Sequence, residues 1–299
     1  MAELKYATVF SKHILDLYDI DLKSVKLFSS NEDIQIVNGK DIKLPKLSVG
    51  GYKDHNRTSM GFNTGSYSND YETKQLDHDR DIEFAIDPMD VDETNQVVSI
   101  ANVQKRFEKK QAIPELDCYT FSKLYSEAKR VGAHIDNTVL TKANVLAKFD
   151  EDMEALEDAG VPLSRCIMYC TAEYKTLLKN AEGITRVLDV SKSNNLDRNI
   201  HSMEDLGEIV TVPKERFKTK YNFSDGYTVA SDGVQINYII VDPEAQVSRV
   251  KYSYINVFTP GHDSRTADKY LYQNRRFNGT FGLDEMLKTS TRINAVSEA

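Results

Sequence analysis

The sequence predicts an α+β or mixed α/β fold, and three observations support this class. Strand-like runs rich in β-branched and aromatic residues lie at 208–212, 236–241 and 251–258. Apolar residues recur at helical spacing over 93–131. The first third of the chain differs, because it has extended flanks around a polar, glycine-rich segment at 50–70 that lacks clear periodicity. Helices and strands combined in this way are typical of α+β domains.

The composition is that of a globular protein. Of the 299 residues, 40% are hydrophobic and 28% are charged, which allows a sizeable core in one or two domains. The net charge of -8 is concentrated, because residues 70–93 hold ten acidic residues against Lys74 and Arg80. An acidic chain without a broad basic surface is a poor candidate for autonomous, high-affinity DNA binding, since that affinity comes from neutralising phosphates.

The cysteines and the N-terminus indicate a protein made in the cytoplasm. Cys118, Cys166 and Cys170 are odd in number and lie in apolar stretches, which is typical of buried, reduced thiols. Residues 1–23 lack a basic segment followed by an apolar core, and no stretch approaches the ~18 apolar residues of a membrane span. We therefore expect no association with a membrane.

The start of the chain predicts a short amphipathic helix or a docking arm. Tyr6, Phe10, Ile14 and Leu17 follow one another at helical spacing within residues 5–18. An arm of this kind needs a partner surface, on its own chain or on a neighbouring copy.

A long hairpin is predicted next. Two short strands over 34–49 flank Asn38-Gly39, which is a favoured hairpin turn. The glycine-rich segment 50–70 follows, and 71–91 is extended, with apolar residues alternating with charged ones. A long hairpin has little core of its own and stays marginally stable unless something packs on it.

Residues 93–131 predict a long, kinked helical rod. Thr94 can cap its start, Pro114 suits the first turn of a second helical segment, and Gly132 marks the end. The first segment carries a basic face made of Lys105, Arg106, Lys109 and Lys110.

A second amphipathic helix is predicted to be capped by Thr141 and to end before Gly160 and Pro162. Its apolar face consists of Val145, Phe149, Met153 and Leu156. Its carboxylates are expected to form a solvated outer face, made of Asp150, Glu151, Asp152, Glu154, Glu157 and Asp158. A strand at 166–170 and a helix at 172–181 follow.

The sequence has no strong catalytic motif. Its six histidines are scattered without ligand spacing, and no GxSxG, P-loop, GxGxxG or HExxH occurs. In a strand, Asp77, Asp79 and Asp81 share one face, so a metal-dependent hydrolase that uses them is an enzymatic alternative. The plainer interpretation is an acidic strand that faces solvent or a partner. We expect no enzyme activity and no cofactor.

Five segments resemble, in order, the major capsid proteins of tailed bacteriophages of the Hong Kong ninety-seven type. DRDIEFAIDPMDVDETNQ and then AIPELDCYTFSKLYSEA resemble the family's passage from an extended hairpin into a spine helix. KANVLAKFDEDMEALEDAGVPLSRCIMYCTAEYKTLLKNA resembles the axial-domain segment, and LGEIVTVPKERF resembles the strand that follows it. YQNRRFNGTFGLDEMLKTSTRINA resembles the C-terminal strand pair. The resemblance rests on the collinear order of these segments over most of residues 30–295.

The resemblance implies a capsid fold of four parts. They are an N-terminal arm (1–38), an extended hairpin called the E-loop (39–92), a peripheral domain with a long spine helix (93–132 and 266–299) and an axial domain (133–265).

The resemblance also implies a function. Pentamers and hexamers of the chain would assemble into the icosahedral head shell that encloses phage double-stranded DNA and contacts it non-specifically. The protein would be synthesised in the host cytoplasm and end in the virion, with a portal as a further partner. A separate scaffolding protein is expected, because the hairpin begins within about forty residues of Met1. An encapsulin-type nanocompartment shell, which shares the fold, is the structural alternative.

The charge pattern suggests how neighbouring copies meet. The acidic strand at 77–93 is predicted to meet a basic surface of an adjoining copy, although pairing within one chain or exposure to water is equally compatible with the sequence. The candidates for inter-subunit contact are Asp77, Asp79, Asp81, Glu83, Lys105, Arg106, Lys109, Lys110, Arg275 and Arg276.

Overall fold

The computed structural model describes residues 22–28, 41–55, 61–93, 100–182, 206–261 and 268–296. Within these ranges the α-helices are α1 (Val25–Phe28), α2 (Pro88–Glu93), α3 (Ile100–Phe107), α4 (Ile113–Val131), α5 (Val145–Asp158), α6 (Ala172–Lys179) and α7 (Asp284–Ser290). The strands are β1 (Asp41–Val49), β2 (Tyr67–Gln75), β3 (His78–Ile86), β4 (His134–Asp136), β5 (Ile167–Thr171), β6 (Glu208–Val212), β7 (Tyr221–Asn222), β8 (Thr228–Val229), β9 (Gln235–Val241), β10 (Gln246–Phe258), β11 (Tyr270–Gly282) and β12 (Arg292–Val296). The predicted N-terminal helix, the Asn38-Gly39 turn and the Thr94 cap lie outside the described residues.

Two sheets and two hairpins organise the described part of the chain. A three-stranded antiparallel sheet has the order β10-β11-β3, and a five-stranded sheet has the order β4-β12-β9-β5-β6. In the larger sheet, β4 is parallel to β12 and β5 to β6, while β9 is antiparallel to both of its neighbours. The predicted class, a mixture of helices and sheet, is confirmed at this level.

Each of the two larger sheets includes a strand from a range that the resemblance assigns to the other domain, and the domain bounds themselves stay a prediction. β10 falls in the range assigned to the axial domain, yet it pairs with β11 and not with the five-stranded sheet. β12 falls in the range assigned to the peripheral domain, yet it pairs with β4 and β9. Strand pairing over such long sequence separations is fixed by tertiary packing, which local sequence patterns do not show.

The predicted long hairpin is confirmed as β1 and β2. The two strands pair antiparallel from Asp41 opposite Gln75 to Val49 opposite Tyr67, and the described residues 50–55 and 61–66 lie at the tip. The pair is a separate two-stranded sheet. It therefore extends from the rest of the subunit without a third strand to support it.

A continuous helical rod runs from α3 through a π-helical turn, Glu108–Ala112, into α4. Pro114 stands in the first turn of α4, as predicted. Because proline has no N–H, the Lys110 carbonyl four residues earlier loses its usual helical donor. The hydroxyl of Tyr227 donates to that carbonyl instead, at 3.3 Å. The rod ends, as predicted, at Gly132, whose φ of 74° is a left-handed conformation that glycine adopts without strain.

The five-stranded sheet is buried on both faces. Ile167 and Tyr169 of β5 belong to a core cluster with Phe121 of α4. Met168, the residue between them, points to the opposite face and belongs to a cluster with Phe149 of α5. Burial on both faces explains why β5 and β9 are nearly continuous apolar runs in the sequence.

The three cysteines are buried and form no disulfide, as predicted. Burial raises the pKa of both Cys166 and Cys170 to about 11, so that these thiols are protonated at neutral pH. They act as small apolar core residues.

The start of α5 differs from the prediction. The N-cap is Asn144 and not Thr141. The backbone N–H of Thr141 donates to Asn144 Oδ1 at 2.7 Å, and the Thr141 carbonyl accepts from the N–H of Val145 at 3.0 Å. Thr141 therefore shapes the turn that precedes the helix.

The expected solvated face of α5 is wrong at one position. Asp152 is only 5% exposed, and the hydroxyl of Tyr238 donates to its carboxylate. Burial raises the pKa of Asp152, although the hydrogen bond from Tyr238 works in the opposite direction. The partner lies on β9, 86 residues away, so the helical pattern alone did not indicate it.

A close approach at Gly279 locks the base of the hairpin onto β11. A Cβ at Gly279 would lie 2.1 Å from Leu76 Cδ2 and 3.1 Å from Leu76 Cα. Leu76 is 2% exposed and packs with Val247, Phe277 and Phe281. This contact leaves no room for a side chain at position 279 of β11.

We expect Gly279→Ala to lower the free energy of unfolding by about 1–3 kcal/mol, because the added methyl group overpacks the contact with Leu76. Urea unfolding of the purified chain measures the change. Gly65→Ala is the matched control, since its Cβ would meet nothing within 4 Å. Equal stability of the two variants would show that Leu76 moves aside without cost.

Candidate assembly surfaces

The tip of the β1–β2 hairpin exposes large apolar side chains. Val49 and Tyr67, which form the last pair of the ladder, are 71% and 80% exposed, and Tyr52 and Phe62 beyond them are 110% and 96% exposed. Burying a side chain of this size is worth roughly 1.5–3 kcal/mol, so the isolated subunit forgoes a large stabilisation here. A group of exposed apolar side chains on one projecting element marks an interaction surface.

Hydrogen bonds join the two sides of the tip. The Nδ2 of Asn63 donates to the carbonyl of Asp54 at 2.7 Å, and the Nζ of Lys53 donates to the carbonyl of Thr64 at 3.2 Å. The backbone on either side of the tip is thereby partly satisfied within the hairpin itself. Among the described residues of the tip, the large apolar side chains are the ones left uncovered.

The root of the hairpin, in contrast, is satisfied by charges of the same chain. Lys74 is 9% exposed, and its Nζ lies 3.0 Å from Asp284 Oδ1 and 3.8 Å from Glu127 Oε2. Arg130 binds the same two carboxylates. Four alternating charges therefore fix the end of β2 to α4 and α7, and partial burial makes such a network stronger than a surface pair.

The segment between β2 and β3 is attached to α4 through Asp77. The hydroxyl of Tyr119 donates to Asp77 Oδ1, and the Nζ of Lys123 donates to Oδ2 at 2.6 Å. Burial opposes the charged form of this carboxyl, but the hydrogen bonds from Lys123 and Tyr119 outweigh it and hold the pKa of Asp77 below its ordinary value.

His78, the first residue of β3, is buried between aromatic rings. Its ring stacks on Tyr119 with centroids 4.0 Å apart and meets Phe223 edge-on at 5.2 Å. Burial, with a contribution from the positive charge of Arg80, lowers the pKa of His78 to about 4. The imidazole is therefore neutral at physiological pH, although Glu115 Oε1 lies 3.5 Å from its Nε2.

Arg80 links three parts of the fold. Its Nε donates to Glu115 Oε1 of α4 at 2.7 Å, and its Nη1 donates to the carbonyl of Phe223 at 2.5 Å. The connection between β7 and β8 is thereby held against both β3 and α4. A hydrogen bond from a guanidinium to a carboxylate is among the stronger polar contacts in proteins.

The helical rod also carries two fully buried carboxylates. Asp117 accepts hydrogen bonds from the backbone N–H groups of Lys23 and Ser24, from Ser24 Oγ at 2.9 Å and from Arg216 at 3.2 Å. Burial raises the pKa of Asp117, and these contacts oppose that rise. The residue fixes the segment 22–28 to the helix.

Glu108, in the π turn, is the second buried carboxylate. Its Oε1 accepts from the hydroxyl of Tyr272 at 2.9 Å and from Asn274 Nδ2 at 2.7 Å, and its Oε2 lies 3.4 Å from Arg276. Sequence analysis missed both carboxylates. For Asp117 the available signal was its position between Ile113 and Phe121 on the apolar face of α4. Glu108 lies one turn after Gln104, which is polar and also buried, so the pattern of α3 gave no such signal.

Several of the predicted contact residues find partners within the chain. Asp79 binds Arg275, with Nη2 2.7 Å from Oδ2, and Glu83 accepts from Gln273 Nε2 at 2.7 Å. Asp77 and Arg276 also have the partners described above. Within the subunit, these four residues and Glu83 therefore make the pairing within one chain that the sequence left open. Contact of the same residues with a neighbouring copy stays a prediction.

Asp81 and Glu83 lie on one side of a helix-on-sheet layer, and the basic candidates of α3 and the π turn lie on the other side. Phe84 of β3 packs against Phe107 of α3, with ring centroids 5.4 Å apart. Alternate residues of a strand point to opposite faces, so Asp81 and Glu83, on either side of Ile82, point away from the helix. The basic side chains of α3 and the π turn are exposed on the other side of the layer, and they are Lys105, Arg106, Lys109 and Lys110. The structure does not bring these two groups together within one subunit.

The hydrolase alternative gains no support from the geometry. Asp77 and Asp79 are bound to Lys123 and Arg275. Among the described residues, no group of three His, Cys, Asp or Glu side chains is placed to hold a metal ion. None of the described helices is both long enough and apolar enough to cross a membrane.

We expect acidification from pH 7 to pH 4 to destabilise the region around His78. The pKa falls from 6.5 in the unfolded chain to about 4 in the fold, so the unfolded state binds the proton more tightly between these values. The stabilisation present above pH 6.5 is lost as the pH falls, and it amounts to at most about 3 kcal/mol.

His78→Phe should keep the stacked ring and remove this contribution. Unfolding of the two proteins at pH 7 and at pH 4.5 measures the difference, since the other titrating groups are common to both. A pH dependence that is identical in the two proteins would contradict the expectation.

Comparison with known proteins places this geometry in a fold group. No protein-family model and no curated protein sequence matches the chain. Among solved structures, it is similar to the asymmetric unit of the mature capsid of bacteriophage PhiM1, with a TM-score of 0.64, 12% identity, and 87% of this chain and 83% of the other covered. The capsid structure of the cyanophage P-SCSP1u matches with a TM-score of 0.60 and 8% identity, covering 91% and 87%.

A third solved structure is the virus-like particle from Pyrococcus furiosus. It matches with a TM-score of 0.53 and 10% identity over 97% of this chain and 99% of that one. Sequence identities this low support a similarity of fold and nothing further. The capsid resemblance predicted from the sequence is confirmed at that level, and the chain has the fold seen in phage capsid structures.

Proposed function

We propose that this chain is the major capsid protein of a tailed bacteriophage, and that its copies form the icosahedral head shell around the phage's double-stranded DNA. The observation that carries the proposal is the hairpin tip, which exposes Val49, Tyr52, Phe62 and Tyr67 on a two-stranded ladder. Burial of these side chains against a neighbouring copy would stabilise an assembly of such subunits. The similarity to phage capsid structures over most of the chain supports the same function.

We further propose that the parts correspond to those of the Hong Kong ninety-seven type. The β1–β2 hairpin takes the place of the E-loop, the rod of α3 and α4 takes the place of the spine helix, and residues 1–38 form the arm. The five-stranded sheet forms the axial domain and the three-stranded sheet the peripheral domain. In this assignment β10 belongs to the peripheral domain and β12 to the axial domain, because the strands pair in that way.

Assembly then follows from many weak contacts. Pentamers and hexamers join into a closed shell, in which each contact is modest and symmetry multiplies it. A separate scaffolding protein and a portal are the further partners in this proposal. The exposed acidic row of β3, Asp79, Asp81 and Glu83, is proposed as a polar contact with an adjoining copy, together with Arg275.

An encapsulin-type nanocompartment is the second candidate. It is favoured by the match to the Pyrococcus furiosus virus-like particle, which spans nearly the whole of both chains. The contents of purified particles separate the two candidates, since a phage head holds DNA and carries a portal, whereas a nanocompartment holds a protein cargo.

We expect the expressed protein to form particles of megadalton mass that contain no stoichiometric metal. Size-exclusion chromatography, negative-stain microscopy and metal analysis of the same preparation test this expectation. A small species loaded with metal would contradict the shell function and favour the hydrolase alternative.

We expect the double variant Tyr52→Ser, Phe62→Ser to fold normally and to fail in assembly. Both side chains are almost completely exposed in the subunit, so their removal should change the melting temperature little. Val139→Ser is the control, because Val139 is 64% exposed and lies outside the hairpin. Normal shells from the double variant would remove the observation on which the proposal rests.

A further inference from the structure

The exposed face of α3 and the π turn is strongly basic. It is made of Lys105, Arg106, Lys109 and Lys110, and we call it the basic face. Between residues 100 and 114 the one acidic residue is Glu108, and it is completely buried and bound to Tyr272 and Asn274. Four positive charges therefore stand together on the surface of a chain whose net charge is -8, with no exposed acid in the same segment.

The basic face cannot readily meet the acidic row in a shell one subunit thick. The side chains of Asp81 and Glu83 leave the sheet on the side opposite to α3, as the packing of Phe84 on Phe107 shows. To pair the acidic row of one copy with the basic face of the next, the two copies would have to lie on top of each other. Subunits that sit side by side in a single layer present such faces to the two sides of the wall.

The chemistry of the basic face fits a polyanion better than a protein partner. None of the large hydrophobic side chains that are exposed in the described part of the chain lies between residues 100 and 112. Protein–protein interfaces are built around buried apolar or aromatic anchors. Lysine and arginine without such anchors are typical of contacts with a nucleic-acid backbone.

We infer that the basic face lines the inside of the shell and contacts the phosphate backbone of the enclosed double-stranded DNA. This inference rests on the proposed shell function and adds to it the side of the subunit that faces the DNA. The contact is independent of base sequence, because the face offers charge and no arrangement for reading base edges. One subunit contributes few contacts, and the shell multiplies them.

Binding of a fluorescent duplex of about 30 base pairs to unassembled full-length chain, followed by anisotropy between about 20 and 200 mM salt, tests the charge chemistry. Four phosphate contacts give a slope of log K against log salt of about -3.6. We expect the variant Lys105→Gln, Arg106→Gln, Lys109→Gln, Lys110→Gln to lose more than tenfold in affinity at low salt and most of that slope.

The matched control removes the same charge elsewhere, from the exposed lysines Lys129, Lys142, Lys269 and Lys288. It should stay within about twofold of the unmodified chain. Equal losses in the two variants would overturn the inference, since net charge alone would then explain binding. Tighter binding of polyglutamate than of the duplex would also overturn it and assign the face to an acidic protein.

The position of the basic face is tested on assembled particles. Intact shells should fail to retard DNA added from outside, whereas unassembled chain retards it. Shells should also form normally from Lys109→Glu, Lys110→Glu. Shells that bind outside DNA through this face, or a loss of assembly in that variant, would overturn the inference. If the unmodified chain forms no shells at all, the proposed function fails instead.

Discussion

The two sheets of this subunit are held in place by one helix. On one side of α4, Phe121, Leu124 and Ala128 enter the core of the five-stranded sheet. Tyr119 of the same helix reaches Asp77 at the start of β3, and Glu108 in the preceding π turn binds Tyr272 and Asn274 of β11. A displacement of this helix would therefore alter the packing of both sheets. The root of the hairpin also contacts the helix, through Lys74 and Glu127.

Much of the fold could be predicted because its local patterns are strong. The spacing of Val145, Phe149, Met153 and Leu156 indicated the buried face of α5, and all four are buried. The apolar run at 166–170 indicated a strand, and β5 lies there. These features are set by burial of residues close together in the sequence, which is what periodicity reports.

The rest could not be predicted, because it depends on contacts between distant residues. Asp117 and Asp152 occupy positions where a charge suggests exposure. Hydrogen bonds from distant residues make their burial tolerable, from Ser24 and Arg216 to Asp117 and from Tyr238 to Asp152. Whether Asp79 pairs with Arg275 or with a neighbour is equally invisible in the sequence, since the two residues meet only when β3 and β11 pair. The division of strands between the sheets is hidden for the same reason.

The two ends of the hairpin have opposite character. At the root, charges are neutralised within the chain, so that the hairpin leaves the subunit from a fixed base. At the tip, Tyr52 and Phe62 are left to water. Unassembled subunits should consequently associate with one another or with other exposed apolar surfaces as their concentration rises. A high concentration of free subunits therefore favours aggregation, and a partner that shields the tip opposes it.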